Sequence, residues 1–180
     1  DHDTFAFSDK AKLFIENYEM LTDLVETYKQ ERKEAISFIE EQIVEAIGAG
    51  WETNFPQSYY YQQIYKPGWV SKQFSIHFEW WFNYLPHKEQ MMLGMIDVEG
   101  KLSEFALGLF DVHYKELENE YARRGIEYRP GRRKLAIAIK RYHAGPDVNK
   151  VVENFLSSFE DLRFLEPAID DVVSKLMLKV

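Results

Sequence analysis

The sequence predicts an α+β fold: a small, mainly antiparallel sheet of about four strands flanked by helices, in the order αβββαβαα. Three observations predict it. Apolar residues recur with a helical period over residues 9–47 and again in the last third of the chain. Residues 74–98 alternate as strands do and are split by Pro86-His87-Lys88. Turn signals at Pro56, Pro67-Gly68, Gly100, Gly125, Pro130-Gly131 and Gly145-Pro146 divide the middle of the chain into short lengths. A chain of 180 residues is most simply one domain able to bury a single substantial core.

Ser8 is placed to cap a first helix before Asp9. Phe14, Tyr18, Leu21, Val25 and Tyr28 follow at alternating spacings of four and three, as one helical face requires. The apolar face resumes at Ala35, Ile36, Ile39, Ile43 and Ile47, after the polar stretch Lys29–Glu34, and Gly48-Ala49-Gly50 ends it. A straight helix over 9–47 would be roughly 60 Å long, so the expectation is a helix that kinks near the charged stretch or projects from the domain. A projecting helix would pack on a second protomer or on another part of a longer parent protein.

Tyr59–Lys66, Phe74–Leu85 and Gln90–Val98 read as three strands, the last two as a hairpin. Ser103 is expected to cap a helix reaching Arg124, with Gly125 as its C-cap. Lys134–Tyr142 reads as the fourth strand. Asp147 caps a helix carrying Val151, Phe155, Phe159 and Leu162, and Pro167 opens a last one.

Thirteen aromatic residues fall between Trp51 and Tyr84, all four tryptophans among them. Strand alternation puts Phe74, Ile76, Phe78, Trp80, Phe82 and Tyr84 on one face, which must be core. The other face carries Ser75, His77, Glu79, Trp81 and Asn83. Trp51, Trp69 and Trp81 are the candidate lining of an aromatic pocket for a small molecule.

The chain has no cysteine, which excludes disulfides, thiolate metal sites and a thiol nucleophile, and fits a reducing cytoplasm. No apolar run approaches the roughly 20 residues that span a bilayer, and no signal peptide is visible, so a cytoplasmic protein without membrane partners is expected. The net charge of −8 is unevenly spread. Residues 1–50 carry five basic and twelve acidic side chains, whereas residues 123–141 carry eight basic ones against Glu127 alone. Within that segment Arg129, Arg132, Arg133 and Lys134 surround a Pro-Gly turn, a pattern suited to phosphates of an anionic partner such as nucleic acid.

No Gly-rich phosphate loop, His-Glu-x-x-His run or Gly-x-Ser-x-Gly elbow is present. His77 and Glu79 share a strand face two residues apart, a spacing that suits an acid–base pair or a cation. Asp97-Val98-Glu99-Gly100-Lys101 follows the hairpin. A carboxylate and a lysine two apart can hold a divalent cation and orient a water for phosphodiester cleavage. This Glu-x-Lys after the third strand, with the element order, resembles the PD-(D/E)XK nuclease fold. The resemblance implies Glu79 as second acid, so that Glu79 and Glu99 would hold a divalent metal beside Lys101; otherwise no cofactor is expected. The segment Ser75–Ala144, with LGMIDVEG and LAIAIKRYHAG, resembles C-terminal domains that accompany PD-(D/E)XK nuclease-like proteins in bacteria. That resemblance implies an accessory or interaction module rather than the catalyst.

Overall fold

The computed structural model describes residues 6–54, 61–81, 89–130, 135–143, 145 and 147–180. It divides into a helical unit, Asp1–Phe38, and a sheet unit, Ile39–Val180.

In the helical unit, α1 (Asp9–Glu16) starts where Ser8 Oγ accepts from the Ala11 amide at 3.3 Å. Asn17 interrupts the helix at φ −117° and ψ 21°, and α2 (Tyr18–Ile47) follows. The polar stretch 29–34 stays helical, supported by Lys29–Glu26 at 2.7 Å and Gln30–Glu34 at 2.6 Å. The interruption therefore falls at Asn17, whose amide side chain bonds the Leu13 carbonyl and competes with the backbone ladder. No described residue of this unit is buried; the buried residues of α2 are Ile39, Ile43 and Ile47, all in the sheet unit.

In the sheet unit six strands lie in the order β1-β2-β3-β4-β6-β5, every pair antiparallel. They are β1 (Glu52–Asn54), β2 (Tyr61–Tyr65), β3 (Phe74–Trp81), β4 (Glu89–Asp97), β5 (Glu127–Tyr128) and β6 (Leu135–Tyr142). The α+β class stands; the strand count is six rather than about four. The two additional strands have three and two residues, too few for alternation to show in the sequence.

Even-numbered positions of β3 form the core face. Phe74, Ile76, Phe78 and Trp80 are all at most 1% exposed. The rest of the expected aromatic face, Phe82 and Tyr84, lies outside the described residues. Helices α4 (Val148–Leu162) and α5 (Glu166–Met177) supply the opposing layer: Phe155 meets Trp80 with ring centroids 5.1 Å apart, and Phe159 meets Phe78 at 5.8 Å. Asp147 caps α4 by accepting from the Asn149 and Lys150 amides. Helix α3 (Ser103–Arg124) crosses from β4 to β5 and ends at Gly125, φ 63°, a left-handed conformation that glycine adopts without strain.

The start of α3 differs from expectation. Ser103 is its first helical residue and does not cap it. Asp97, the last residue of β4, does: its Oδ2 accepts from the Leu102 amide at 2.6 Å, the Ser103 amide at 2.7 Å and Ser103 Oγ at 2.8 Å. A carboxylate carries more negative charge to the helix N-terminus than a hydroxyl, and the serine becomes its donor.

Candidate functional site

Cross-strand register assembles a polar cluster on the odd-numbered face of β3. Glu79 pairs with Gln63 of β2 and with Met92 of β4, and His77 pairs with Gly94. Along the strand, Ser75 Oγ lies 3.0 Å from His77 Nδ1, His77 Nε2 lies 2.9 Å from Glu79 Oε1, and Trp81 Nε1 donates to Glu79 Oε2 at 2.9 Å. Gln63 Nε2 lies 3.1 Å from His77 Nε2, and Asn54 Nδ2 reaches Gln63 Oε1 at 3.5 Å. The consistent proton assignment has Nε2–H donating to Glu79 and Nδ1 accepting from Ser75. The Gln63 amide then donates to Glu79 as well, and Trp81 completes the carboxylate.

His77 is wholly buried, and Glu79 is largely covered. This face is therefore not the open polar flank that alternation suggests. Gly94 of β4 lies against both: a Cβ built there would stand 3.4 Å from His77 Nε2 and 3.6 Å from Glu79 Cδ, so the pair packs directly on this stretch of β4. Burial of the Glu79 carboxyl pushes its pKa up. The hydrogen bonds of His77, Trp81 and Gln63 outweigh that and hold it below the ordinary carboxylate value.

A hydroxyl–imidazole–carboxylate chain is the arrangement that activates a serine nucleophile. Here the Ser75 backbone pairs with Ile96 on one side and bridges to Val70 on the other, so its amide serves the sheet rather than a developing oxyanion. The hydroxyl, both ring nitrogens and both carboxylate oxygens of this trio are each committed to a neighbour. What this geometry does is fix the register of β2, β3 and β4.

The Glu-x-Lys pair lies elsewhere. Strand β4 ends at Asp97, and Gly100 turns at φ 71°. Phe74 is the residue that faces Asp97, five positions from Glu79, so Glu79 is about 16 Å along the sheet from the level of that turn. Two carboxylates so separated do not share a cation, whose bonds are about 2–2.6 Å. Glu99 and Lys101 instead pair with each other at 2.7 Å, both exposed. Among the described residues, no three histidine or acidic side chains form a group that could hold a metal ion.

The tryptophans also part company. Trp51 and Trp69 meet on the core side, 5.4 Å apart and edge to face, against Phe78. Lys66 Nζ lies 5.5 and 5.4 Å from their ring centroids and pairs with Glu166 at 2.6 Å. Trp81 is on the opposite face, stacked on Tyr61 at 5.0 Å. The three rings line no common pocket.

Of the basic segment, Arg129 pairs with Glu127 at 2.9 Å, and Arg141 pairs with the same carboxylate. Lys140 and Arg124 both reach Asp161, at 2.7 and 3.5 Å. The described cations are thus answered by nearby acids, of which Asp161 comes from α4 and lies outside the stretch that the linear charge count covers. Arg132, Arg133 and Lys134 lie outside the described residues.

The helical unit presents the largest contrast. Leu13, Phe14, Tyr18, Leu24, Val25 and Tyr28 are between 40% and 61% exposed. Phe14, Tyr18, Leu21, Val25 and Tyr28 flank a groove of about 540 Å³ on one side of the helices. Among the described residues, no helix is long and apolar enough to cross a membrane.

Comparison with protein-family models, with curated proteins and with solved structures found no match.

Proposed function

We propose that this chain is an interaction module whose helical unit is the association surface and whose sheet unit is a self-sufficient base. One observation carries the reading: an apolar row recurs through α1 and the first half of α2, while no described residue of that unit is buried. Isolated helices owe little of their stability to propensity and most to the packing of an apolar face. Contiguous exposed apolar patches of this kind mark interaction sites. The sheet unit, in contrast, buries its own apolar residues between β3, β4, α4 and α5. The polar cluster around His77 and Glu79 is internally satisfied, which suits a support rather than a reaction centre.

Hydrogen exchange on the dilute, monomeric chain tests this. Amides of residues 14–28 are expected to exchange far faster than those of β3 and β4, because among the described residues the row lies exposed. Exchange as slow as that of the sheet would show the row already satisfied in the monomer, and the association reading would be wrong.

A further inference from the structure

Resting on that reading, we propose that the partner is a second copy of this chain, joined as a parallel, in-register, two-stranded coiled coil over residues 14–28. The apolar period is the first argument. Phe14, Tyr18, Leu21, Val25 and Tyr28 repeat every 3.5 residues on average, counted along the sequence. A 3.5 repeat keeps a seam facing another helix and winds the pair left-handed. Further along the same helix the period changes: Ile39, Ile43 and Ile47, which the sheet unit buries, are spaced by four. Helix α2 thus carries two kinds of apolar face, and the first, which Phe14 of α1 continues along the same groove across Asn17, is the kind that meets a helix.

The flanking positions argue for a copy of itself. With Tyr18 and Val25 at a and Phe14, Leu21 and Tyr28 at d, the e positions hold Ile15, Thr22 and Lys29 and the g positions Asn17, Leu24 and Glu31. A parallel pair sets each g against the following e of the partner, which here joins Asn17 to Thr22 and Leu24 to Lys29. No like charges meet. Glu16, Glu19, Asp23 and Glu26 occupy b and f positions, away from the seam. Val25 at a beside Leu21 at d is the combination that favours two parallel strands. Three rings that bury about 150–250 Å² each when fully covered, here about half exposed, join Leu21, Leu24 and Val25 to give roughly 1,000 Å² over two copies. That is the lower bound of a specific interface, so the dimer is expected to be reversible.

The chain has no cysteine, so a single introduced thiol reports geometry unambiguously. Val25→Cys would place two thiols face to face across a parallel, in-register seam, at Cα separations a disulfide spans, about 4.4–6.8 Å. Asp23→Cys would place them on the outer surface. Sedimentation equilibrium of the full chain is expected to show a monomer–dimer transition in the micromolar range, weakened about tenfold or more by Val25→Asp. Under a glutathione redox buffer Val25→Cys should cross-link and Asp23→Cys should not. A dimer in which the two variants cross-link equally overturns the parallel register. A chain that stays monomeric at its highest soluble concentration, with residues 14–28 still exchanging fast, overturns the second copy as partner. That last result leaves the association surface itself standing, whereas slow exchange in the dilute monomer would remove both.

Discussion

His77 shows how a buried side chain is satisfied within one strand. The imidazole is wholly buried against Gly94, and Ser75 and Glu79 of its own strand answer its two ring nitrogens. The Glu79 carboxylate is the charged member, and its pKa is lowered in the fold. A group with a depressed folded pKa stabilises the protein above its unfolded pKa, and that contribution disappears as pH falls through the folded value. Glu79→Gln is accordingly expected to cost about 1–3 kcal/mol at neutral pH, because the amide cannot receive all the donors aimed at the carboxylate. The gap between wild type and variant should close as acidification passes below about pH 4.3, the ordinary value for a glutamate. Urea midpoints at several pH values measure it. A gap unchanged from neutral to strongly acidic solution would mean that Glu79 folds uncharged.

At the scale of elements, Asp97 joins the end of β4 to the start of α3. Burial pushes its carboxyl up, but the Ser103 hydroxyl, then the amides of Leu102, Ser103 and Gly100, together outweigh this and hold it below the ordinary range. Asp97→Ala is expected to cost about 1–2 kcal/mol, with Asp97→Asn recovering part of it. Amide exchange at residues 103–106 should accelerate more than exchange in β4; uniform acceleration would point to sheet damage instead. Asp97 also shows where sequence reading stops. Helices and strands long enough to display a period were legible: the inward rings of β3, the Gly125 C-cap and the Asp147 N-cap needed no tertiary information. The cap of α3 was not, because the acid that caps it precedes the helix by six residues and the nearer Ser103 carries the stronger local signal. The polar cluster was half legible. His77 and Glu79 follow from alternation, but Gln63 and Gly94 join them only through cross-strand register. The same limit undid the joining of Glu79 with Glu99 and Lys101, which resemblance placed together and the register of β3 against β4 sets apart.

Across the whole molecule, the two units differ in what holds them. The sheet unit contains all four tryptophans and a core of interlocked rings; the helical unit has no tryptophan and no buried described residue. Tryptophan fluorescence therefore reports the sheet unit alone, while far-ultraviolet circular dichroism reports helix in both. Stability in the sheet unit comes from burial within one chain and is independent of protein concentration. Stability in an associating helix rises with concentration by mass action. On heating, part of the helical signal is expected to be lost before the fluorescence transition, and this early phase should move upward as protein concentration is raised. Val25→Asp should deepen the early loss and leave the fluorescence midpoint unchanged, since an exposed substitution outside the sheet unit alters that unit's core by no more than about 0.5 kcal/mol. Coincident transitions by both probes, at every concentration and in the variant, would show that residues 9–38 melt with the sheet as one cooperative body and owe their helical state to the chain itself.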